Sequence, residues 1–123
     1  MKKIFAILGL LLCFSTSAFA VNVNVYYYWR NSRCATCKKF ETYTQNAITK
    51  MNDSTVHYQA IDMSKDKNAV KKYNLYTKSI IVSKTQNGKE QWKNLDKIWD
   101  KVGNEKEYEN YIIQEVKQFK GVK

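Results

Sequence analysis

The sequence predicts an α/β fold, in which a mixed four-stranded sheet is flanked by helices in the order βαβαββα. Runs of β-branched and aromatic residues, which favour strands, alternate with segments whose apolar residues recur at helical spacing. Asn87-Gly88, a dipeptide typical of two-residue hairpin turns, separates the last two strand-like runs. The chain of 123 residues has no proline and carries no repeat or linker, so one small domain is expected.

Four strands are predicted, at residues 21–29, 56–61, 79–83 and 90–92. The first strand ends in a continuous apolar run, which indicates burial on both faces of the sheet. The fourth strand follows the hairpin turn and therefore runs antiparallel to the third. Because βαβ crossovers are right-handed, the first and third strands are expected to lie parallel at the centre of the sheet, with the hairpin at one edge.

Helical spacing of apolar residues predicts three helices and one shorter helical segment. The first helix covers residues 34–51 and a short helix covers 66–73. A helical turn or two is expected within residues 95–102, and the last helix carries apolar residues from 108 to 119. The helices would cover both faces of the sheet, which gives a three-layer sandwich.

The N-terminal segment resembles a secretory signal peptide. Two lysines, an apolar run of 11 residues and a small-residue segment ending in Ala-Phe-Ala follow Met1. Cleavage after Ala20 would leave a domain of 123 − 20 = 103 residues, at 21–123, in the periplasm or outside the cell. The apolar run is short for a membrane anchor, which needs roughly 20 residues. Leu12 before Cys13 also departs from a lipoprotein cleavage site.

Two cysteines, Cys34 and Cys37, remain after this cleavage. A disulfide that closes so short a loop would stabilise the fold little, so the pair is better suited to chemistry than to stabilisation. Cys34 falls at the first turn of its helix, where the helix N-terminus and Arg33, together with neighbouring cations, should lower its thiol pKa. Cys37 lies one turn on, on the side of Phe40, which faces the core. Cys34 is therefore the expected nucleophile and Cys37 the resolving cysteine.

The chain is strongly basic, with a formal net charge of +10, or about +8 once Lys2 and Lys3 are removed. Inside a cell such a charge would suggest nucleic acid as a partner. Export argues against nucleic acid, and the lysines are scattered among acidic residues. A solvated basic surface is the preferred interpretation, and weak attraction to anionic lipid or to an acidic partner is the alternative.

The predicted strand order, with Cys-x-x-Cys after the first strand, is the arrangement of thioredoxin-like proteins. Four segments of the chain resemble one bacterial family with this fold, the nitrophenyl compound nitroreductase subunit, ArsF family. These segments are Tyr26-Tyr27-Tyr28-Trp29, Arg33-Cys34-Ala35-Thr36-Cys37, Tyr73-Asn74-Leu75-Tyr76-Thr77-Lys78-Ser79 and Trp92-Lys93-Asn94-Leu95-Asp96. The resemblance implies an arsenic or nitroaromatic setting. A Gly-rich phosphate loop for a flavin is absent, so a chain of this size would be an accessory subunit, with no cofactor beyond a redox-active disulfide.

The chain departs from ordinary thioredoxins at Ser79. At the corresponding position, thioredoxins have a proline that follows a cis peptide bond. A cis peptide before a non-proline residue costs about 3 kcal/mol, so the Lys78–Ser79 bond is expected to be trans. Loss of the proline leaves two thiolates more accessible to a soft cation, such as Cu(I) or trivalent arsenic. Zinc requires four ligands, and the lone histidine, His57, is expected to point away from the cysteines. A zinc site within one chain is therefore not expected, although two copies could share four sulfurs, and no residue is assigned to a metal.

The sequence therefore favours an exported thiol–disulfide redox protein. Its partners would be protein or small-molecule thiols and disulfides, with a membrane redox protein as a further candidate. The alternatives are a soft-metal or metalloid carrier, and an accessory domain whose cysteines are only structural. The aromatic residues could stack a ring ligand, but most are expected in the core and rim of the sheet, with Trp29 as the main exception.

Overall fold

The predicted alternation of strands and helices is present in the computed structural model, which describes residues 21–30 and 35–121. The elements are β1 (Val23–Trp29), α1 (Ala35–Met51), β2 (Val56–Asp62), a 3₁₀ turn (Met63–Lys65), α2 (Lys67–Lys72), β3 (Ser79–Gln86), β4 (Lys89–Asn94), α3 (Ile98–Lys101) and α4 (Glu105–Lys120). The predicted leader lies outside the described residues. Within them, no helix is both long and apolar enough to cross a bilayer.

The four strands form one mixed sheet in the order β2-β1-β3-β4. β1 and β2 are parallel, with Val23 opposite Val56 and Trp29 opposite Asp62. β3 is antiparallel to both of its neighbours. This order and these directions, with helices on both faces, make the fold thioredoxin-like.

The expectation that the first and third strands are parallel is wrong, although both strands do lie at the centre of the sheet. β2 ends at Asp62, beside Trp29, and β3 begins at Ser79, opposite Tyr28. The connection from β2 to β3 therefore starts and finishes at the same end of the sheet. α2 has six residues and spans about 9 Å, which is too short to return the chain along a strand of roughly 23 Å. The chain re-enters the sheet where it left, so β3 runs in the opposite direction to β1.

Alternation along β1 divides the apolar residues between two cores, one on each face of the sheet. Val23, Val25 and Tyr27 face α1 and α4, where they pack with Phe40 and other buried side chains. Tyr28 faces the other way and packs with the smaller core beneath α2. Tyr27 and Tyr28, on opposite faces of β1, are both buried, as the continuous apolar run predicts, whereas Trp29 is half-buried.

The hairpin between β3 and β4 forms at the predicted Asn-Gly dipeptide. Asn87 has φ of 55° and Gly88 has φ of 76°, which is the pair of left-handed residues that a type I′ turn requires. Both strands extend beyond their predicted limits. β3 runs to Gln86 and β4 runs from Lys89 to Asn94, because cross-strand pairing continues into polar residues that carry no apolar signal.

Charged contacts tie α4 to the segment that follows α1. Glu109 is buried and pairs with Lys50 at the end of α1. Lys120 donates to Asp53 Oδ2 at 2.6 Å, and the backbone and hydroxyl of Thr55 both donate to Asp53 Oδ1. Asp53 thus holds both the end of α4 and the turn that leads into β2.

Stability in acid should report the Asp53 contact. Hydrogen bonds from Lys120 and Thr55 hold the pKa of Asp53 well below its ordinary value. A carboxyl whose pKa falls on folding stabilises the folded state above its unfolded pKa, about 3.9, and this stability is lost as the pH falls towards the lower folded value. The unfolding free energy should therefore decrease below about pH 4, and less steeply in Asp53→Asn than in the native chain.

Urea unfolding from about pH 2 to about pH 6 measures this slope. Asp100→Asn, which removes an exposed carboxylate from α3, is the control and should keep the native slope. Equal slopes in the native chain and in Asp53→Asn would contradict the assignment.

Candidate functional site

The candidate site lies at the start of α1, where Cys37 occupies the first turn. The helix begins at the exposed residue Ala35, and Cys37 is turned into the core with only 2% of its surface accessible. Cys37 is followed on the same buried face by Phe40, Thr44 and Ala47, at helical spacing. Cys37 is disulfide-bonded. The predicted site residues Cys34 and Arg33 lie outside the described residues.

The electrostatic surroundings of this turn are cationic. Unpaired backbone N–H groups give a helix N-terminus a partial positive charge, and the first turn of α1 contains no acidic residue to offset it. Lys38 is exposed within the same turn and Arg30 is exposed at the end of β1. A thiolate at the start of α1 would therefore be favoured over the same thiolate in water.

Tyr27 forms the floor beneath Cys37. Its hydroxyl donates to the backbone carbonyl of Cys37 at 3.3 Å, and its ring packs against Phe40 with centroids 6.4 Å apart. Burial, and then the charge of Glu41, raise the pKa of Tyr27 to about 12. Tyr27 is therefore a protonated donor at every physiological pH, and it holds the first turn of α1 to the central strand.

Two further phenols lie under α1. Tyr108 from α4 shares a hydrogen bond of 2.8 Å with Thr44. The hydroxyl of Tyr58 is buried and has no hydrogen-bond partner among the described residues. Sequence reasoning did not single out Tyr27 as a site residue. Strand alternation could have found it, since it puts Tyr27 on the same face as Val23 and Val25, the face that α1 must cover.

An aromatic wall closes the core side of the site. The rings of Phe40 and Trp99 meet edge to face with centroids 4.8 Å apart, and Trp99 remains 45% exposed. Trp29 is half-buried against the same core. The aromatic residues thus contribute to the core and rim, as expected. The exposed ring of Trp99 contacts Phe40, which lies one helical turn after Cys37.

Ser79 lies at the same end of the sheet as the cysteine turn. It is opposite Tyr28 in the ladder between β1 and β3, and only 5% of its surface is accessible. Its hydroxyl donates to the carbonyl of Thr77 at 2.8 Å. The described residues contain no cis peptide bond, so the trans peptide expected before Ser79 is confirmed. The antiparallel direction of β3 is what brings Ser79 to this end.

His57 lies towards the other end of the sheet, as predicted. It is opposite Asn24, five residues or roughly 16 Å along the strand from Trp29. His57 is exposed, and its Nε2 is 3.4 Å from Asn22 Oδ1. In residues 21–30 and 35–121, no three histidine, cysteine or acidic side chains are grouped so as to hold a metal ion.

The opposite face of the sheet carries a separate polar cluster around Glu90. Its carboxylate accepts hydrogen bonds from Lys72 at 2.6 Å and from Tyr73 and Ser83. Burial raises the pKa of Glu90, but these hydrogen bonds outweigh it and leave the pKa below its ordinary value. A cleft of about 400 Å³ lies beside this cluster, between α2 and the sheet, and is lined in part by Tyr26, Tyr28 and Gln59.

Comparisons with known proteins add little to the geometry. No family model matches the chain, and no curated protein matches it. The resemblance to the ArsF family is therefore not confirmed. Among solved structures, the chain is similar to a malarial protein, at 19% identity over 59% of this chain and 80% of that one, with a TM-score of 0.44. It is also similar to Trxlp from Edwardsiella tarda EIB202, at 13% identity over 67% and 79% of the two chains, with a TM-score of 0.44.

Removal of the Tyr27 hydroxyl should weaken the attachment of α1 to β1. Tyr27→Phe keeps the ring and removes the donor to the Cys37 carbonyl, so the free energy of unfolding should fall by about 1 kcal/mol. Urea unfolding measures this difference. Tyr76→Phe is the matched control, because Tyr76 is 80% exposed, and it should leave stability unchanged. A Tyr27→Phe protein as stable as the native chain would show that the contact contributes nothing.

Proposed function

We propose that this protein is an exported thiol–disulfide redox protein that works through Cys34 and Cys37. The observation that carries the proposal is the placement of Cys37 in the first turn of α1, buried against the core and disulfide-bonded. A cysteine so placed is protected from bulky substrates but can reach a sulfur three residues earlier in the chain. The cationic first turn then favours the thiolate on the earlier residue, Cys34.

Substrate reduction takes place in two steps. The Cys34 thiolate attacks one sulfur of a substrate disulfide, which forms a mixed disulfide and expels the other substrate sulfur as a thiolate. Cys37 gives up its proton to solvent or to that leaving thiolate, and its sulfur attacks Cys34. The bond between Cys34 and the substrate breaks, the Cys34–Cys37 disulfide forms, and the second substrate thiol leaves. The substrate gains the two electrons that the protein dithiol loses.

The same two steps in reverse oxidise a substrate dithiol. The reduction potential of the Cys34–Cys37 pair determines which direction is favoured. Greater stabilisation of the Cys34 thiolate favours the reduced protein and makes the pair more oxidising. The positive first turn of α1, which includes the exposed Lys38 and no acidic residue, acts in that direction. A dithiol reductant or a disulfide oxidant in the periplasm or outside the cell, such as a membrane redox protein, would return the Cys34–Cys37 pair to its starting oxidation state.

The second candidate is a dithiol site for a soft cation such as Cu(I) or trivalent arsenic. It is favoured by the trans backbone before Ser79, since the described residues place no cis-proline ring at this end of the sheet. Two sulfurs suit such cations. A role as an accessory subunit in nitroaromatic or arsenic chemistry is compatible with either candidate.

A trapping experiment tests the redox mechanism. In Cys37→Ala the resolving sulfur is missing, so a Cys34 mixed disulfide with the partner should accumulate and disappear on treatment with a reductant. Non-reducing electrophoresis and mass spectrometry detect this adduct. Cys34→Ser is the matched control and should trap nothing. If Cys37→Ala forms no adduct in cells that produce it, the two-step exchange is incorrect.

The reduction potential of the pair separates the candidates. A potential between about −270 and −120 mV would place the protein among working thiol–disulfide proteins, and one below about −300 mV would indicate an inert structural bridge. A pair that stays reduced across the buffer series, and binds Cu(I) or arsenite, would support the soft-cation site instead.

A further inference from the structure

The sheet has two edges, and they differ in chemistry. β4 forms one edge and carries Lys89 and Lys93, residues of the kind that discourage pairing with another strand. β2 forms the other edge, and its sequence, VHYQAID, contains neither lysine nor proline. Its seven residues pair with β1 in an unbroken register, so no bulge bends the strand. Among the described residues, no further strand covers this edge.

The backbone groups that face outward from β2 follow from the ladder. Thr55 accepts a hydrogen bond from the Val23 amide, and in a parallel pair the bonding residues of each strand alternate. His57, Gln59 and Ile61 are therefore the residues that bond to β1. Tyr58, Ala60 and Asp62 direct their N–H and C=O groups away from the sheet. The middle of the edge is open on both faces, since Gln59 and Ala60 are both exposed.

We propose that this edge pairs with β2 of a second copy of the chain, antiparallel and centred on Gln59, to give a continuous eight-stranded sheet. Antiparallel pairing about Gln59 sets Tyr58 opposite the partner copy's Ala60, and Val56 opposite its Asp62. Tyr58 and Ala60 of the two copies then exchange backbone hydrogen bonds, because this pair joins outward-facing residues. The Val56 amide does not take part, since it already donates to the Asp53 carbonyl at 3.0 Å. No like charges face each other, since Asp62 is the only acidic residue of β2 and the strand has no lysine or arginine.

The β2 edge also contributes to the cleft beneath α2. Gln59 and Ile61 line the cleft and lie on the same face of β2. A second copy would place its own Gln59 beside them, on the same face of the joined sheet. The arrangement is isologous, the form that most homodimers take. It is independent of the redox proposal.

The net charge of the chain predicts how the association depends on salt. Each copy carries about +8 after loss of the leader, so two copies repel each other, and added salt screens this repulsion. The dimer should therefore strengthen as the salt concentration rises.

Cross-linking tests both the edge and its register. The three native cysteines of the full-length chain are first replaced by alanine, and the protein is purified after export. In this background, Gln59→Cys should form a disulfide-linked dimer. The two residues at the axis would have Cα atoms about 4.5 Å apart, within the range for a disulfide. His57→Cys is the control, because the two copies of residue 57 would lie four positions out of register, roughly 14 Å apart, and should not cross-link.

A proline variant tests the association in the chain with its native cysteines. Ala60→Pro removes an N–H that points away from the sheet, which an edge strand tolerates, and it should abolish the dimer while the circular dichroism spectrum is kept. Ala60→Ser keeps the N–H and should remain dimeric. Sedimentation velocity at low and at moderate salt measures both.

Three results would overturn the proposal. The native chain could sediment as a monomer up to millimolar concentration at moderate salt. The Ala60→Pro chain could remain dimeric, which would place the interface elsewhere. Equal cross-linking of His57→Cys and Gln59→Cys would exclude the centred register.

Discussion

The site depends on the packing of the first turns of α1 against β1. Phe40 contacts Tyr27 from β1, Tyr108 from α4 and Trp99 from α3. One ring of α1 therefore packs against the sheet and against both other helices on this face. Cys37 lies one turn before Phe40 on the same side of the helix and is buried by the same contact. The burial of Cys37 is thus a consequence of core packing.

The length of the connection between β2 and β3 determines which residue of β3 lies at the same end of the sheet as the site. A longer helix between β2 and β3 would have returned the chain to the far end of the sheet and made β3 parallel to β1. With α2 limited to six residues, β3 starts opposite Tyr28, and Ser79 arrives at the end of the sheet where β1 leads into the cysteine turn. Side-chain alternation along β3 places Ser83, and with it the Glu90 cluster, on the face that carries Ile81 and α2. The sheet therefore separates this cluster from α1.

Much of this fold can be predicted from local patterns, because each pattern has a local cause. The hairpin follows from Asn87-Gly88, and α1 follows from the spacing of Phe40 and Ala47 in the sequence. The direction of β3 could not be predicted in this way, since it depends on the distance that a connection spans in three dimensions. In the site, the burial of Cys37 follows from helical spacing. The contact from Tyr27 depends on how two elements ten residues apart approach each other.

The chemistry of the core also bears on the direction of electron flow. Cys37 shares its buried face with the phenyl ring of Phe40, and its backbone carbonyl accepts from Tyr27. Tyr27 is a phenol that is protonated at neutral pH, because its pKa is raised to about 12. Burial would cost a Cys37 thiolate its hydration, so negative charge is better placed at the exposed start of the helix. In the proposed exchange, Cys37 must therefore lose its proton as its sulfur attacks Cys34. The rate of disulfide closure should then depend on access of a proton acceptor to that buried sulfur, whereas the equilibrium depends on the charge at the helix start.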